Sequence, residues 1–202
     1  QVLEHYDTIN LHALVVDAQM KATTYQQPKK YWDAIARPAP EGGMFKEAAD
    51  GEVEFMYEEK VVREIDARTL QNNELVMNID WVPLMKFDEH GNASRARMRL
   101  TPKGFEQQAG LDYDVHGITS PVAQWSTVLC ILSLIVKLRL RTRQYDVTKA
   151  FLMGTLKERI CCKLPPGYND PSKLKFGEHT VWELLRPIYG MKQASANFFT
   201  KL

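Results

Sequence analysis

The chain has 202 residues, of which 45% are hydrophobic and 25% charged, and this composition excludes wholesale disorder and collagen-like structure. The longest near-apolar run covers only residues 128–136, against the roughly 20 residues that a membrane-spanning helix needs, so no membrane role is expected. Three cysteines, two of them adjacent, make no disulfide framework or zinc site and predict buried thiols in a reducing compartment. The length allows one domain or two small ones.

The net charge of +1 hides an uneven distribution along the chain. Residues 1–80 hold 8 basic and 15 acidic side chains, whereas residues 81–202 hold 18 basic and 10 acidic ones. A basic segment can attract a polyanion, although a solvated basic surface without a ligand has the same composition.

The predicted elements begin after a poorly periodic stretch. Residues 1–43 are interpreted as a linker or N-terminal extension with one short helix near residues 31–36, and the second unit spans residues 44–202. Helical spacing of apolar side chains predicts a helix over residues 44–60. Residues 79–100 predict a β-hairpin whose turn lies at residues 88–92, where Gly91 can adopt a positive φ.

The second arm of this hairpin carries the first candidate site. Arg95, Arg97 and Arg99 alternate with apolar residues, and Lys103 follows. Because side chains alternate between the faces of a strand, the three guanidinium groups share one face. Aligned guanidinium groups suit phosphate binding, but a solvated face with carboxylate partners elsewhere is the alternative.

The remaining elements follow in order. Residues 121–138 predict a core helix, and residues 145–147 a short strand that carries Asp146. Residues 158–167 predict an edge strand, residues 180–185 a further strand, and residues 187–202 a turn entering a helix. Asp146 fits either a metal-binding carboxylate or a turn residue, while Lys192 and Gln193 at the helix start fit phosphate binding or capping.

Five strings occur in an order that resembles the reverse transcriptase of copia-type LTR retrotransposons. They lie at residues 81–114, 120–122, 143–160, 164–168 and 181–196. They are similar to the family patterns K-A-R-L-V-A-K-G-F, S-P-V, Q-x-D-V-x-x-A-F-L, P-x-G and L-Y-G-L-K-Q-A. The similarity covers most of the chain but only the front part of that polymerase.

The resemblance implies an α+β right-hand polymerase fold, with a fingers hairpin and part of a palm. It implies an RNA-directed DNA polymerase that transfers nucleotides with two Mg²⁺ ions on an RNA or DNA template–primer. By position, Asp146 corresponds to the first metal-binding aspartate, and the backbone carbonyl of Val147 lies beside it. Arg97, Arg99 and Lys103 correspond to cations that bind the triphosphate of a dNTP. Phe151 corresponds to the residue that excludes a ribose 2′-hydroxyl, and Gln193 to a glutamine beside the nucleotide.

One departure from the family sets the expected activity. The sequence contains no Asp-Asp pair, and the Tyr-x-Asp-Asp turn of the family is therefore missing. A single aspartate cannot hold two Mg²⁺ ions, so this chain alone is expected to be an inactive fragment truncated before that motif. The alternatives are a non-catalytic nucleic-acid-binding remnant that uses residues 95–103, and a non-functional product with exposed sheet edges.

The resemblance also implies the surroundings of the chain. The remainder of the pol polyprotein is the expected partner, with no prediction of oligomeric state. The expected location is a cytoplasmic virus-like particle with later nuclear entry.

Overall fold

A computed structural model describes residues 24–71 and 74–201. The structure mixes helices and strands, which confirms the predicted α+β class. The helices are α1 (Tyr31–Ile35), α2 (Glu41–Glu58), α3 (Trp125–Leu138) and α4 (Ala194–Phe199). The strands are β1 (Val62–Asp66), β2 (Val76–Met77), β3 (Ile79–Phe87), β4 (Ala93–Pro102), β5 (Ile160–Cys162) and β6 (Thr180–Leu184).

Strands β3 and β4 form the predicted hairpin as a separate two-stranded antiparallel sheet. Arg99 lies opposite Val82, and Arg97 lies opposite Leu84. Gly91 adopts a φ of 77° in the turn, as predicted. The other face of β4 carries Ala96, Met98 and Leu100, which are all buried. This face packs against α2, so the alternation predicted for β4 is confirmed.

The second sheet has four strands in the order β1-β6-β5-β2. Strands β1 and β5 pair with β6 in antiparallel orientation, while β2 pairs with β5 in parallel orientation. The predicted edge position of β5 is therefore wrong, because β6 and β2 flank it. The prolines after β5 end the strand along the chain, but they do not decide which strands lie beside it.

Helix α2 joins the two sheets around one core. Its buried side chains include Phe45, Ala49, Val53 and Met56. The helix begins three residues earlier and ends two residues earlier than the pattern over residues 44–60 predicts. Tyr57, on the same helix, accepts a hydrogen bond of 2.8 Å from the indole nitrogen of the fully buried Trp182 on β6.

The short helix predicted near residues 31–36 is confirmed as α1. Tyr31 and Ala34 of this helix are buried, and the Tyr31 ring stacks on Trp81 of β3 with centroids 5.8 Å apart. The described residues on both sides of position 43 therefore contribute to the same core. The division of the chain at that position stays a prediction.

Helix α3 forms where the sequence predicts it, but its predicted place in the core is wrong. In the described structure none of its 14 residues is buried, and the exposed fractions of Trp125 and Val136 are 70% and 78%. An apolar stripe indicates that a helix can pack against another apolar surface. It does not indicate whether such a surface is present among the described residues. Cys130 lies on this helix and is exposed, so the predicted burial of the cysteines is wrong for this residue.

The strand predicted at residues 145–147 is also wrong. These residues have no helix or strand assignment, and Tyr145 is 80% exposed. A β-strand is defined by backbone hydrogen bonds to a neighbouring strand. Among the described residues, no strand pairs with this segment.

Tyr57→Phe should lower the free energy of unfolding by about 1–2 kcal/mol, because the buried indole N–H of Trp182 loses its acceptor. Urea denaturation followed by fluorescence would measure the change. Tyr145→Phe is the matched control and should leave stability unchanged, because Tyr145 is exposed. Equal stabilities of the two variants would contradict the proposed role of the Tyr57 hydroxyl.

The cysteines should differ sharply in reactivity, because the thiolate is the form that reacts with iodoacetamide. Burial raises the pKa of the Cys161 thiol to about 11 and raises the pKa of Cys162 as well. Native protein at pH 8 should therefore be alkylated at Cys130, while Cys161 and Cys162 stay unmodified. Mass spectrometry of the peptides would show the difference. Labelling of all three in urea is the control. Equal labelling of the native chain would contradict this core.

Candidate nucleic-acid interface

The three arginines of β4 form an exposed cationic row, called the arginine row below. Arg95 and Arg99 are exposed and Arg97 is half-buried. Within the described residues none of the three guanidinium groups makes an ion pair. Lys86 lies opposite Arg95 on β3 and adds to the positive charge of this face. Three guanidinium groups on one face of a strand, with no ion pair among the described residues, are suited to phosphate oxygens.

Lys103 differs from the arginine row in its surroundings. Its ammonium nitrogen lies 3.0 Å from a carboxylate oxygen of Asp80 on β3. This pair neutralises part of the charge at the end of β4. Of the cations predicted to bind a triphosphate, Arg97 and Arg99 therefore make no ion pair in the described structure, while Lys103 makes one.

Tyr189 connects two of the predicted site residues. The guanidinium carbon of Arg99 lies 5.8 Å from the centroid of the Tyr189 ring, within the range of a cation–π contact. The Phe151 ring lies on the same tyrosine, with centroids 5.8 Å apart and planes at 56°. Sequence analysis did not single out Tyr189. Its signal was its place inside the string P-I-Y-G-M-K-Q-A, as an aromatic residue before a glycine.

A carboxylate from α2 lies near the end of the arginine row. Glu52 interacts electrostatically with Lys149 and Arg99, and burial raises the pKa of its carboxyl while the two cations lower it. Lys149 adopts a φ of 52° and lies over the ring of Phe55. Burial lowers the pKa of Lys149, and Glu52 opposes that shift. Sequence analysis named neither Glu52 nor Lys149, because their proximity arises only when the helix packs on the hairpin.

Gln193 is placed in the interior. Its side chain is 4% exposed, its carbonyl oxygen accepts a 2.9 Å hydrogen bond from Gln107, and its amide nitrogen donates a 2.9 Å bond to the carbonyl of Asp112. Both ends of the side chain are therefore occupied by groups of this chain. The predicted position of Gln193 beside a nucleotide stays a prediction.

Asp146 lies apart from these contacts. Asp146 is exposed and, like Val147, belongs to no helix or strand. Within the described residues, no three His, Cys, Asp or Glu side chains are grouped so that they could hold a metal ion. Reverse transcriptases generally use a divalent metal ion, but the residues described here do not by themselves fit such a site. The metal-binding roles predicted for Asp146 and for the carbonyl of Val147 stay predictions.

The described helices also bear on membrane association. None of them is long and apolar enough to cross a lipid bilayer.

Comparison with known proteins gives a consistent family. Residues 66–202 match the family model described as "Reverse transcriptase (RNA-dependent DNA polymerase)". The chain is 33% identical over 176 residues to the Retrovirus-related Pol polyprotein from transposon TNT 1-94 of Nicotiana tabacum. That alignment covers 87% of this chain and 12% of the relative.

Two relatives from Arabidopsis thaliana agree with this result. The Pol polyproteins from transposons RE2 and RE1 are 33% and 32% identical over 127 residues, covering 63% of this chain and 8% of each relative. No solved structure matches the chain significantly. The chain thus spans about a tenth of the length of these curated relatives. With the matching family model, these similarities show that the chain belongs to the reverse transcriptase family of retrotransposon Pol polyproteins.

Proposed function

We propose that this chain supplies the nucleic-acid- and nucleotide-contacting part of an RNA-directed DNA polymerase. The observation that carries the proposal is the arginine row, whose three guanidinium groups make no ion pair within the described residues. A folded protein gains little stability from aligned like charges, whereas a polyanion gives each of them a partner. The family of the chain makes a template–primer and a dNTP the polyanions of choice.

In this proposal the hairpin β3–β4 is the fingers element, and the four-stranded sheet belongs to the palm. Arg97 and Arg99 bind phosphate, and Lys103 joins them when Asp80 releases it. Phe151 and Arg99 both contact the ring of Tyr189. This arrangement suits a phenylalanine that contacts the sugar of a nucleotide whose phosphates bind Arg99.

We do not extend the proposal to catalysis by this chain alone. Asp146 is the carboxylate that the family motif selects for a metal site, and the sequence contains no Asp-Asp pair to complete that site. Within the described residues it has no grouped metal-ligating neighbours. The chain would act as one part of a Pol polyprotein. Its location in cytoplasmic particles and later in the nucleus is proposed from the family resemblance alone.

A second candidate function is binding of nucleic acid without chemistry. The same arginine row and the exposed, isolated Asp146 favour it. The two functions separate on one comparison. If the chain is part of a polymerase, a complete polyprotein that contains it should synthesise DNA, and Asp146→Asn should abolish that synthesis. If the chain only binds nucleic acid, the polyprotein should show no DNA synthesis with either residue.

The double variant Arg97→Ala, Arg99→Ala should weaken binding of a fluorescein-labelled RNA–DNA template–primer about tenfold at low salt, because two phosphate partners are lost. Each lost contact should also reduce the slope of log K against log salt by about one. Fluorescence anisotropy over a salt series measures both quantities.

Arg68→Ala is the matched control, because Arg68 is exposed but paired with Asp66 at 2.6 Å beside the other sheet. This variant should keep the wild-type affinity and slope. A wild-type chain that fails to bind at low salt, or a double variant that binds normally, would overturn the proposed function.

Glu52→Gln should strengthen binding of the same template–primer about threefold, because it removes a negative charge beside Arg99 and Lys149. In the wild type the pKa of Glu52 is raised, so falling pH should neutralise this carboxylate and tighten binding in the same direction. The variant should lose that part of the pH dependence.

Glu54→Gln serves as the control for this change, since Glu54 is exposed on the same helix. Anisotropy titrations between pH 5 and pH 8 would compare the two variants. An equal gain in affinity from both would show that only net charge matters and that the position of Glu52 does not.

A further inference from the structure

Gln107 and Gln193 form a buried pair of amides, called the amide pair below. Both side chains are 4% exposed. The amide nitrogen of Gln107 donates to the side-chain oxygen of Gln193 at 2.9 Å, and the side-chain oxygen of Gln107 accepts from the backbone N–H of Lys192 at 2.9 Å. With the bond from Gln193 to Asp112, three hydrogen bonds connect two segments that are 81 to 86 positions apart. Buried amides with partners at this geometry fix one arrangement of the chain.

The segments that the amide pair connects both adjoin the arginine row. Gln107 lies five residues beyond the end of β4, after a short turn at Gly104–Glu106, and Gln193 follows the loop that carries Tyr189. At the same junction a Cβ atom on Gly104 would lie 2.1 Å from the backbone oxygen of Gly190. The two backbones therefore meet without an intervening side chain. Tyr189 sits next to this contact, which places its ring against Arg99.

A cation lies beside the amide pair and is held by groups next to it. The ammonium group of Lys192 donates to the backbone carbonyl of Gln107 at 3.3 Å and to the Tyr113 hydroxyl at 3.1 Å. The same nitrogen lies 4.6 Å from the centroid of the Tyr113 ring. Lys192 is exposed, so its charge reaches the surface from a fixed position.

We propose that Gln107 is a positioning residue of the nucleic-acid interface, and that Gln193 acts through the amide pair rather than by touching a nucleotide. The pair holds the loop of residues 188–193 against the segment that follows β4, so that Tyr189 orients Arg99. This inference rests on the proposed function, since it concerns how the same surface is held in shape. It assigns to Gln107 a role that the family motifs do not give it.

Energetics favour this role for Gln193. For its amide to reach a nucleotide, the side chain must leave Gln107 and Asp112, and both partners would remain buried without a hydrogen bond. The closed pair satisfies all of these groups at once. Nucleic acid that binds the exposed guanidinium groups needs no such opening.

The test compares Gln107→Met with Gln108→Met. Methionine has nearly the volume of glutamine and removes the side-chain hydrogen bonds, while Gln108 is an exposed neighbour whose side chain bonds to nothing in the described structure. Gln107→Met should weaken binding of the labelled template–primer about fivefold in a chain shown to be folded by circular dichroism. Gln108→Met should bind like the wild type.

A double-mutant cycle separates positioning from general destabilisation. If the pair acts by orienting Arg99, adding Gln107→Met to Arg99→Ala should weaken binding by less than twofold more. Full multiplication of the two effects, or a folded Gln107→Met chain that binds normally, overturns the inference. The proposed function would survive either result, provided that the wild-type chain binds and the arginine variants do not.

A measurement on the unmodified chain decides the question even if the Gln107 variant does not fold. The side-chain amide protons of Gln193 can be followed by NMR hydrogen exchange in the free chain and with the template–primer bound. Slow exchange in both states is expected, because the amide pair stays closed. Fast exchange, or a direct contact between these protons and the nucleic acid in the bound state, would overturn the inference.

Discussion

The pleat of strand β4 is the constraint on which the rest of the structure depends. Successive side chains of a strand alternate between its two faces. Strand β4 buries Ala96, Met98 and Leu100 against α2, so it must present the arginine row on the opposite face. A slip of one residue in the register would turn three guanidinium groups into the core, at a large cost in desolvation free energy. The packing of α2 therefore fixes the candidate interface as firmly as it fixes the hydrophobic core.

This coupling explains which parts of the molecule the sequence could predict. The hairpin depends on a period of two and on a turn with Gly91, and both are local signals. Helices α1, α2 and α3 were likewise visible as local patterns. The placement of α3 was wrong, and so were the lateral position of β5 and the strand around Asp146. Each of these depends on what lies beside an element, and periodicity does not carry that information.

The same division applies to the candidate site. Arg97, Arg99 and Phe151 were identified from motifs, whereas Tyr189, Glu52 and Gln107 became visible only through contacts between distant segments. Glu52 interacts electrostatically with Arg99 because α2 packs on the hairpin, and Gln107 meets Gln193 across 86 positions of sequence. A motif states which residues a family places in order. It does not state which of them hydrogen-bond to other residues of the chain, as the buried side-chain amide of Gln193 does.

Helix α3 has a practical consequence for work with the isolated chain. It presents apolar side chains such as Trp125 and Val136 to solvent, and four cations, Lys137, Arg139, Arg141 and Arg143, stand at and beyond its end. An apolar surface of this kind favours self-association, which mutual repulsion of the cations opposes until salt screens it. Salt that weakens binding of nucleic acid to the arginine row is therefore also expected to favour self-association of the protein through α3. The two processes change the apparent size of the particles in opposite directions, so the useful range for binding studies is bounded at high ionic strength by solubility.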